Sequence, residues 1–266
     1  GPSLPADQAA EQAKGLAQQG YRELVITGIE LSTYGRDLPG RPDLASLIEA
    51  VCHAVPEMRV RLGSLEPRTV TEDFCTRLAA LPNLCPHFHL SLQSGSDTVL
   101  ARMKRKYTTQ RYLESVRLLR THSDRPPLTT DLIVGFRGET EEEFQETLAF
   151  LQRCAFAQMH IFPYSRRQGT LAPPLPGRLS TAEKARRAHR GAELAQVKGK
   201  SWLTGWIGQT VPVLFEEEKD GFWRGHTPQY IEVRVKGEHL HNQLRPVTIT
   251  AAGDSLAYGT VKEEQP

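Results

Sequence analysis

The feature of this sequence that most restricts its fold is a fivefold alternation of helix-forming and apolar segments within the first 165 residues. Each helix-forming segment leads into a short run rich in β-branched or other apolar residues, namely YRELVITGIE, MRVRLGS, HFHLSL, LTTDLIVGF and AQMHIFPY. Strands that alternate with helices across connections of a few residues form parallel βα units. Strands as apolar as these are usually covered on both faces. The sequence therefore predicts an α/β fold with a parallel sheet.

The pattern changes after Gly205. The remaining residues contain five short β-type segments, TVPVLFEE, GFWRGHT, QYIEVRV, LRPVTITAA and SLAYGTV, which are separated by glycine- and proline-containing turns. Strands of this length and spacing predict a small antiparallel barrel of the OB-like kind. We therefore divide the chain into two domains, residues 1–203 and residues 204–266. A proline-rich loop at 163–176 and a basic helix from Ser180 to about Gly199 precede the boundary.

The composition is that of a globular protein, with 39% hydrophobic and 24% charged residues and a net charge of +2. After residue 200 there are nine acidic against six basic residues, so the cations are concentrated upstream. The four cysteines, Cys52, Cys75, Cys85 and Cys154, are widely spaced, which favours buried reduced thiols over a disulfide scaffold or a metal site. No run of residues is apolar enough to span a membrane and no leader opens the chain, so we expect a cytoplasmic protein without membrane contact.

Polar residues and glycines follow every predicted strand of the α/β domain. These strand ends carry Gly28 and Glu30, Ser64, Gln93, Asp131 and Tyr164. In a parallel α/β barrel, ligands bind at the carboxyl ends of the strands. A turn or a helix cap explains any one of these residues alone, but five polar strand ends together favour a pocket for a polar small molecule.

Three further patterns lie close to the strand ends. Thr140 is followed by three glutamates, which predicts a helix N-cap with acidic first-turn residues. The basic run from Arg102 to Lys106 fits either a solvated helix face or an anion site, and its position directly after a strand end supports the anion site. His87 and His89 share one face of a strand, but no third ligand lies nearby in the sequence, so we expect no metal site.

Taken together, these segments resemble the methylthiotransferases of the radical S-adenosylmethionine superfamily. The matching segments are TGIELSTYGRDL, RLGSLEP, CPHFHLSLQSGSDTVLARMKRKYT, TTDLIVGFRGETEEEF and HIFPYSRRQGT. The resemblance implies a partial parallel (β/α) barrel of the radical SAM type, followed by an all-β TRAM domain. Among the branches, TGIxLxxYG and SLEP look most like the one that methylthiolates N6-threonylcarbamoyladenosine next to the anticodon of tRNA. Branches that act on isopentenyladenosine in tRNA or on a ribosomal protein are the alternatives.

The resemblance also implies S-adenosylmethionine as a cofactor. It places six residues around that cofactor: Gly28, Glu30, Ser64, Gln93, Arg105 and Asp131. Arg105 would pair with the methionine carboxylate, and the Ser-Gly-Ser turn after Gln93 would let the chain clear the ligand. The CxxxCxxC motif that holds the family's 4Fe-4S cluster has no counterpart here, and the four cysteines lack the spacing to replace it. We therefore assign no catalytic or metal-binding residue and expect this chain by itself to be inactive.

The partner implied by the resemblance is the anticodon stem-loop of tRNA. Cations and an aromatic residue suited to RNA are Arg166, Arg167, Arg186, Arg187, Arg190, Arg224, Tyr230 and Arg234. A non-catalytic RNA-binding module is a rival hypothesis, whereas an unrelated phosphate-binding enzyme would need a glycine-rich phosphate loop that the sequence lacks. The family's N-terminal domain and first barrel strand also have no counterpart, so an exposed edge strand predicts self-association.

Overall fold

The computed structural model describes residues 1–28, 30–165, 177–263 and 265. The helices within these ranges are Ala6–Gln18 (α1), Leu44–Ala54 (α2), Glu72–Ala79 (α3), Asp97–Arg102 (α4), Thr109–His122 (α5), Glu141–Cys154 (α6) and Thr181–Thr204 (α7). The strands are Glu23–Ile26 (β1), Arg59–Leu62 (β2), Phe88–His89 (β3), Leu128–Val134 (β4), Gln158–Pro163 (β5), Thr210–Lys219 (β6), Phe222–His226 (β7), Glu232–Val235 (β8), Leu244–Ala252 (β9) and Ala257–Val261 (β10). Every apolar segment of the sequence contains one strand. None of the helices in these ranges is both long and apolar enough to cross a membrane.

The first five strands are parallel and follow one another in chain order. β1 pairs with β2, and β4 lies between β3 and β5. Isolated β-bridges at Val60–Leu84 and Leu65–Leu90 join the β1–β2 pair to the β3–β5 sheet. At the second bridge, the amide of Leu65 donates to the carbonyl of His89 at 2.8 Å. The prediction of a parallel α/β fold is confirmed.

The two outer strands of this sheet are partly exposed. Met159 is the one buried residue of β5, and Val25 and Phe162 are each 52% exposed. The prediction that all strands are covered on both faces is therefore wrong for β1 and β5. These strands are the two ends of the sheet.

Local sequence signals fix several elements of the α/β domain. The Thr140 hydroxyl accepts from the amide of Glu143 at 3.1 Å, and the Glu143 carboxylate accepts from the amide of Thr140 at 2.9 Å. This capping box confirms the predicted start of α6. The four cysteines are buried and unpaired, as predicted. Burial raises the pKa of both the Cys52 and the Cys154 thiol to about 12.

The last five strands close into a barrel in the order β10-β8-β7-β6-β9. Its core is filled by apolar side chains that alternate along the strands, among them Val213, Phe215, Val233, Val247 and Ile249. All neighbours are antiparallel except β8 and β10, which run parallel, so the fully antiparallel arrangement expected from the sequence is wrong at this one pair. The long helix α7 leads into this barrel and ends six residues before β6 begins.

Candidate cofactor pocket and RNA-facing surfaces

A cavity of about 930 Å³ lies at the carboxyl ends of β1, β2 and β3. Four of the predicted cofactor residues line it: Glu30, Ser64, Gln93 and Arg105. Glu30 follows β1, Ser64 follows β2, and Gln93 and Arg105 follow β3. Parallel strands bring their carboxyl ends to one edge of a sheet, so residues up to 75 positions apart in the sequence meet here by topology.

Gln93 adopts a backbone conformation that non-glycine residues rarely take. Its φ is 74°, in the left-handed region. Hydrogen bonds hold it there, because its amide donates to the carbonyl of Asp131 at 3.0 Å and its carbonyl accepts from the amide of Ile133 at 2.9 Å. Strained residues that the surrounding structure fixes in this way occur often at binding sites. The backbone of Gln93 is therefore fixed by the neighbouring strand β4 on both sides of its peptide unit.

The Ser94-Gly95-Ser96 turn packs against α6 and does not line the cavity. A Cβ atom on Gly95 would lie 2.8 Å from the Cβ of Phe150 and 2.8 Å from the Cα of Thr147. The Thr147 hydroxyl also accepts from the amide of Gly95 at 3.1 Å. The glycine is therefore required for close packing of a loop on a helix, which corrects the expectation that this turn makes room for the cofactor.

The cations of the basic run from Arg102 to Lys106 have two different roles. Arg102 donates to the Glu143 carboxylate at 2.7 Å and so belongs to the packing of α4 on α6. Burial alone would raise the pKa of Glu143, but hydrogen bonds from Arg102 and Thr98 bring it down to about 2. Lys104, Arg105 and Lys106 line the cavity instead. The structure therefore favours the anion site for these three cations and the structural role for Arg102.

The cavity wall carries more cations than the predicted site contained. Arg36 and Arg41 also line it, and neither makes an ion pair within the described ranges. Among the acidic lining residues, Glu66 pairs with Arg68 at 2.9 Å, and both Asp43 and Asp73 face Arg77. Glu30 is the remaining carboxylate of the lining. Sequence reasoning missed Arg36 and Arg41 even though Arg36 lies within the TGIELSTYGRDL segment.

The two other predicted cofactor residues do not line this cavity. Gly28 lies in an adjoining groove of about 780 Å³ between α1 and β1, which shares Glu30 with the main cavity. Asp131 lies on β4, and its carboxylate accepts from the Nε2 of His89 at 3.0 Å. The Nδ1 of His89 lies 2.7 Å from the Thr129 hydroxyl. Asp131 is thus bonded to a neighbouring strand, and its contact with the cofactor stays a prediction.

The residues of this chain do not fit an iron–sulfur cluster. Within the described ranges, no group of three His, Cys, Asp or Glu side chains is placed to hold a metal ion. The four thiols lie in the core on separate elements, and burial raises the pKa of each one. A cysteine that binds a metal does so as a thiolate, which needs surroundings that lower its pKa.

The predicted RNA-binding arginines of α7 differ in their accessibility. Arg187 is buried, and its guanidinium donates to the carboxylates of Glu139 and Glu183, at 2.8 Å in each case. Its prediction as an RNA contact is therefore corrected to a structural role. Arg186 is half-exposed and pairs with Glu141 and Glu183, whereas Arg190 is exposed and makes no ion pair in the described part of the chain. Arg166 and Arg167 lie outside the described residues.

The predicted RNA-binding arginines of the barrel are also engaged with carboxylates. Arg224 lies 3.2 Å from Glu217 and 3.0 Å from Glu232. Arg234 lies 3.7 Å from Glu232. These carboxylates offset part of the guanidinium charge that would attract phosphates. The role of Arg224 and Arg234 as RNA contacts stays a prediction.

Tyr230 joins the two parts of the molecule. Its ring stacks on those of His226 and His87, with centroids 4.7 and 5.2 Å apart, and the Arg61 guanidinium lies 4.8 Å from its centre. Arg61 is buried and also donates to the carbonyls of Pro228 and Thr227. Burial and the charge of Arg61 lower the pKa of His87 to about 3. We name Arg61, His87, His226 and Tyr230 the barrel junction. Tyr230 is 47% exposed, and its stacking on a base stays a prediction.

Comparison with known proteins agrees with this geometry. Residues 1–151 match the family model of the Radical SAM superfamily. The chain is 33% identical to the Threonylcarbamoyladenosine tRNA methylthiotransferase MtaB of Bacillus subtilis, over 94% of this chain and 57% of the relative. It is 40% identical to the tRNA-2-methylthio-N(6)-dimethylallyladenosine synthase of Moorella thermoacetica, over 77% of this chain and 46% of the relative.

Solved structures show the same fold at low sequence identity. Coproporphyrinogen III oxidase (HemN) from Escherichia coli, a Radical SAM enzyme, matches with a TM-score of 0.52 and 12% identity, over 84% of this chain and 60% of that chain. The methyltransferase TsrM from Kitasatospora setae matches with a TM-score of 0.51 and 15% identity, over 61% and 31%. The chain spans about half the length of the curated relatives it matches.

Proposed function

The chain belongs to the Radical SAM superfamily, and from this premise we propose that it supplies the S-adenosylmethionine pocket of a tRNA methylthiotransferase. The observation that carries the proposal is the cavity at the carboxyl ends of β1–β3, in a chain whose relatives are tRNA methylthiotransferases. Its four predicted residues provide complementary chemistry. The carboxylate of Glu30 suits the ammonium of the cofactor, and the planar fork of Arg105 suits its carboxylate. The hydroxyl of Ser64 and the amide of Gln93 offer hydrogen bonds to the ribose and the adenine.

In the superfamily, S-adenosylmethionine bound beside a reduced cluster supplies the radical that starts the reaction. The residues of this chain do not fit that cluster, so we propose that the chain alone binds the cofactor without cleaving it. Its part in the reaction is to hold and orient the cofactor at the strand ends. We propose no catalytic residue within it.

The proposed substrate is tRNA that carries N6-threonylcarbamoyladenosine next to the anticodon. The segments TGIELSTYGRDL and SLEP support this branch, as does the MtaB relative from Bacillus subtilis. The relative from Moorella thermoacetica belongs to the dimethylallyladenosine branch at 40% identity, so that branch is the second candidate.

Two domains fit this proposal. Residues 1–203 form the partial (β/α) barrel with its basic helix, and residues 204–266 form a TRAM-type domain that binds the anticodon stem-loop in the cytoplasm. The end of α7 at Thr204 and the closure of β6–β10 into a separate barrel support the division. Because Arg224 and Arg234 are paired with carboxylates and Arg190 is exposed, Arg190 is the better RNA contact.

Titration calorimetry with S-adenosylmethionine tests the pocket. We expect binding by the unmodified chain and a loss of about tenfold or more in Arg105→Gln, since hydrogen bonds to a charged group contribute about 1.5–3 kcal/mol. Arg153→Gln is the matched control, because Arg153 is an exposed arginine of α6 that lines none of the cavities described above. An equal affinity in all three proteins would refute the assignment of Arg105.

Titration with anticodon stem-loops tests the RNA part. We expect the loop with threonylcarbamoyladenosine to bind more tightly than the unmodified loop, and both to weaken as salt rises from 50 to 200 mM, roughly the range over which phosphate contacts lose their strength. No binding of either loop at low salt, together with no binding of the cofactor, would overturn the proposed function.

A further inference from the structure

The cavity carries more positive charge than S-adenosylmethionine can use. Six cations line it, namely Arg36, Arg41, Arg68, Lys104, Arg105 and Lys106, together with the carboxylates of Glu30, Asp43, Glu66 and Asp73. Among the described residues, Glu66 pairs with Arg68, Asp43 and Asp73 pair with Arg77, and Glu30 makes no ion pair. The cofactor itself has a sulfonium, an ammonium and one carboxylate, so its net charge is positive. One guanidinium satisfies that carboxylate, and each further cation repels the ligand. The surplus therefore indicates a second ligand with a negative charge.

Arg36 and Arg41 reach the cavity from a tightly folded loop. Gly35 has a φ of 81°, and a Cβ there would collide with the carbonyl of Pro42. The amide of Arg41 donates to the carbonyl of Leu38 at 3.1 Å. The loop is thus held in one conformation by its own backbone.

The acidic residue of this loop is bonded elsewhere. The Asp37 carboxylate accepts from the amide of Ser3 at 2.8 Å, and hydrogen bonds from Ser3 lower the pKa of Asp37. It therefore stays ionised in contact with the start of the chain and does not line the cavity. Among the described residues, Asp37 therefore makes no ion pair with Arg36 or Arg41.

The two basic groups enter the cavity from separate strand ends. Arg36 and Arg41 follow β1, and Lys104, Arg105 and Lys106 follow β3, with the end of β2 and its Ser64 between them in the sheet order. Two anions can therefore be bound at once. The β3 side serves the cofactor carboxylate in the proposed function, which leaves the β1 side for the substrate.

We propose that Arg36 and Arg41 bind the carboxylate of the threonylcarbamoyl group on the substrate adenine. This inference rests on the proposed function and names the residues that select its substrate. Guanidinium forks bind carboxylates bidentately, whereas an isopentenyl group carries no charge and offers them nothing. The selection comes from an attraction that only the anionic side chain receives.

The test is titration of the chain with three nucleosides or nucleotides: N6-threonylcarbamoyladenosine, its carboxyl methyl ester, and adenosine 5′-monophosphate. We expect the acid to bind about tenfold more tightly than the ester, which is a difference of roughly 1.4 kcal/mol in binding free energy. Arg36→Gln and Arg41→Gln should each reduce this preference and leave the affinity for the ester unchanged. Arg153→Gln should retain the full preference.

The possible results separate the inference from the function on which it rests. Equal binding of acid and ester by the unmodified chain, or no binding of either, overturns the inference even where S-adenosylmethionine still binds. If the two variants weaken binding of the monophosphate and not of the acid, the arginines bind RNA phosphate and the inference is wrong. A preference for the acid that both variants remove supports the inference. If the same samples fail to bind S-adenosylmethionine and the stem-loop, the proposed function is refuted and the assignment of Arg36 and Arg41 is not.

Discussion

Replacing Arg187 by methionine should destabilise the protein strongly, because it would leave a carboxylate buried without its counter-charge. The side chain of Glu139 is 1% exposed, and its carboxylate accepts from Arg187 and from the amide of Gly135 at 3.0 Å. Removing one partner of a buried ion pair costs about 3–5 kcal/mol. We expect Arg187→Met to lose that much of the free energy of unfolding. Arg190→Met, three residues along the same helix and exposed, should lose almost none.

The free energy of unfolding lost in Arg187→Met should depend on pH. Burial already raises the pKa of Glu139 above its ordinary value despite the guanidinium beside it, and the loss of Arg187 raises it further. A carboxyl group whose pKa is raised on folding binds more protons in the folded state, so its penalty grows as pH rises and fades as pH falls. The deficit of Arg187→Met should therefore be smaller at pH 5 than at pH 8.

Urea unfolding followed by circular dichroism measures these differences, and a double variant sharpens them. Glu139→Met combined with Arg187→Met removes both charges, and it should recover most of the stability that the single variant loses. The reasoning is refuted if Arg187→Met is as stable as Arg190→Met. A stable Arg187→Met that binds the stem-loop more weakly would restore Arg187 as an RNA contact.

Three further changes test other parts of the structure. Gly95→Ala should cost about 1–3 kcal/mol of unfolding free energy by forcing the loop away from α6, whereas Gly15→Ala, with open space around it on α1, should be neutral or stabilising by up to about 1 kcal/mol. We propose that the exposed edge of β1 drives self-association, so light scattering should show a mass that rises with concentration and a monomer in Val25→Lys. The four buried thiols should react with a disulfide reagent only after unfolding in urea, and rapid labelling of the folded chain would contradict their burial.

The parts of the fold that could be predicted are those determined by residues close together in the sequence. The helix–strand alternation and the capping box at Thr140 depend on residues within a few positions of one another, and both are confirmed. The cavity was also foreseeable, because parallel strands bring Ser64 and Gln93 to one edge whatever the details of packing.

The corrected residues have partners that are distant in the sequence. Arg187 looks like any other cation of a basic helix until Glu139, 48 positions earlier, is placed beside it. The contact between Asp131 and His89 on the neighbouring strand was likewise not readable from the sequence. Gly95 could be read as a ligand-clearing glycine until α6 was seen against it. Pairings of this kind depend on tertiary packing, which periodicity does not report.

In the barrel junction, His87 directly precedes β3 and Arg61 is the third of the four residues of β2. Arg61 and the cavity residue Ser64 are three positions apart, which is about 10 Å at about 3.3 Å per residue of extended chain. If the barrel binds RNA as proposed while one nucleotide enters the cavity, a single RNA has to reach both sites. The proposal therefore expects short RNAs that can contact only one of the two sites to bind more weakly than the full stem-loop.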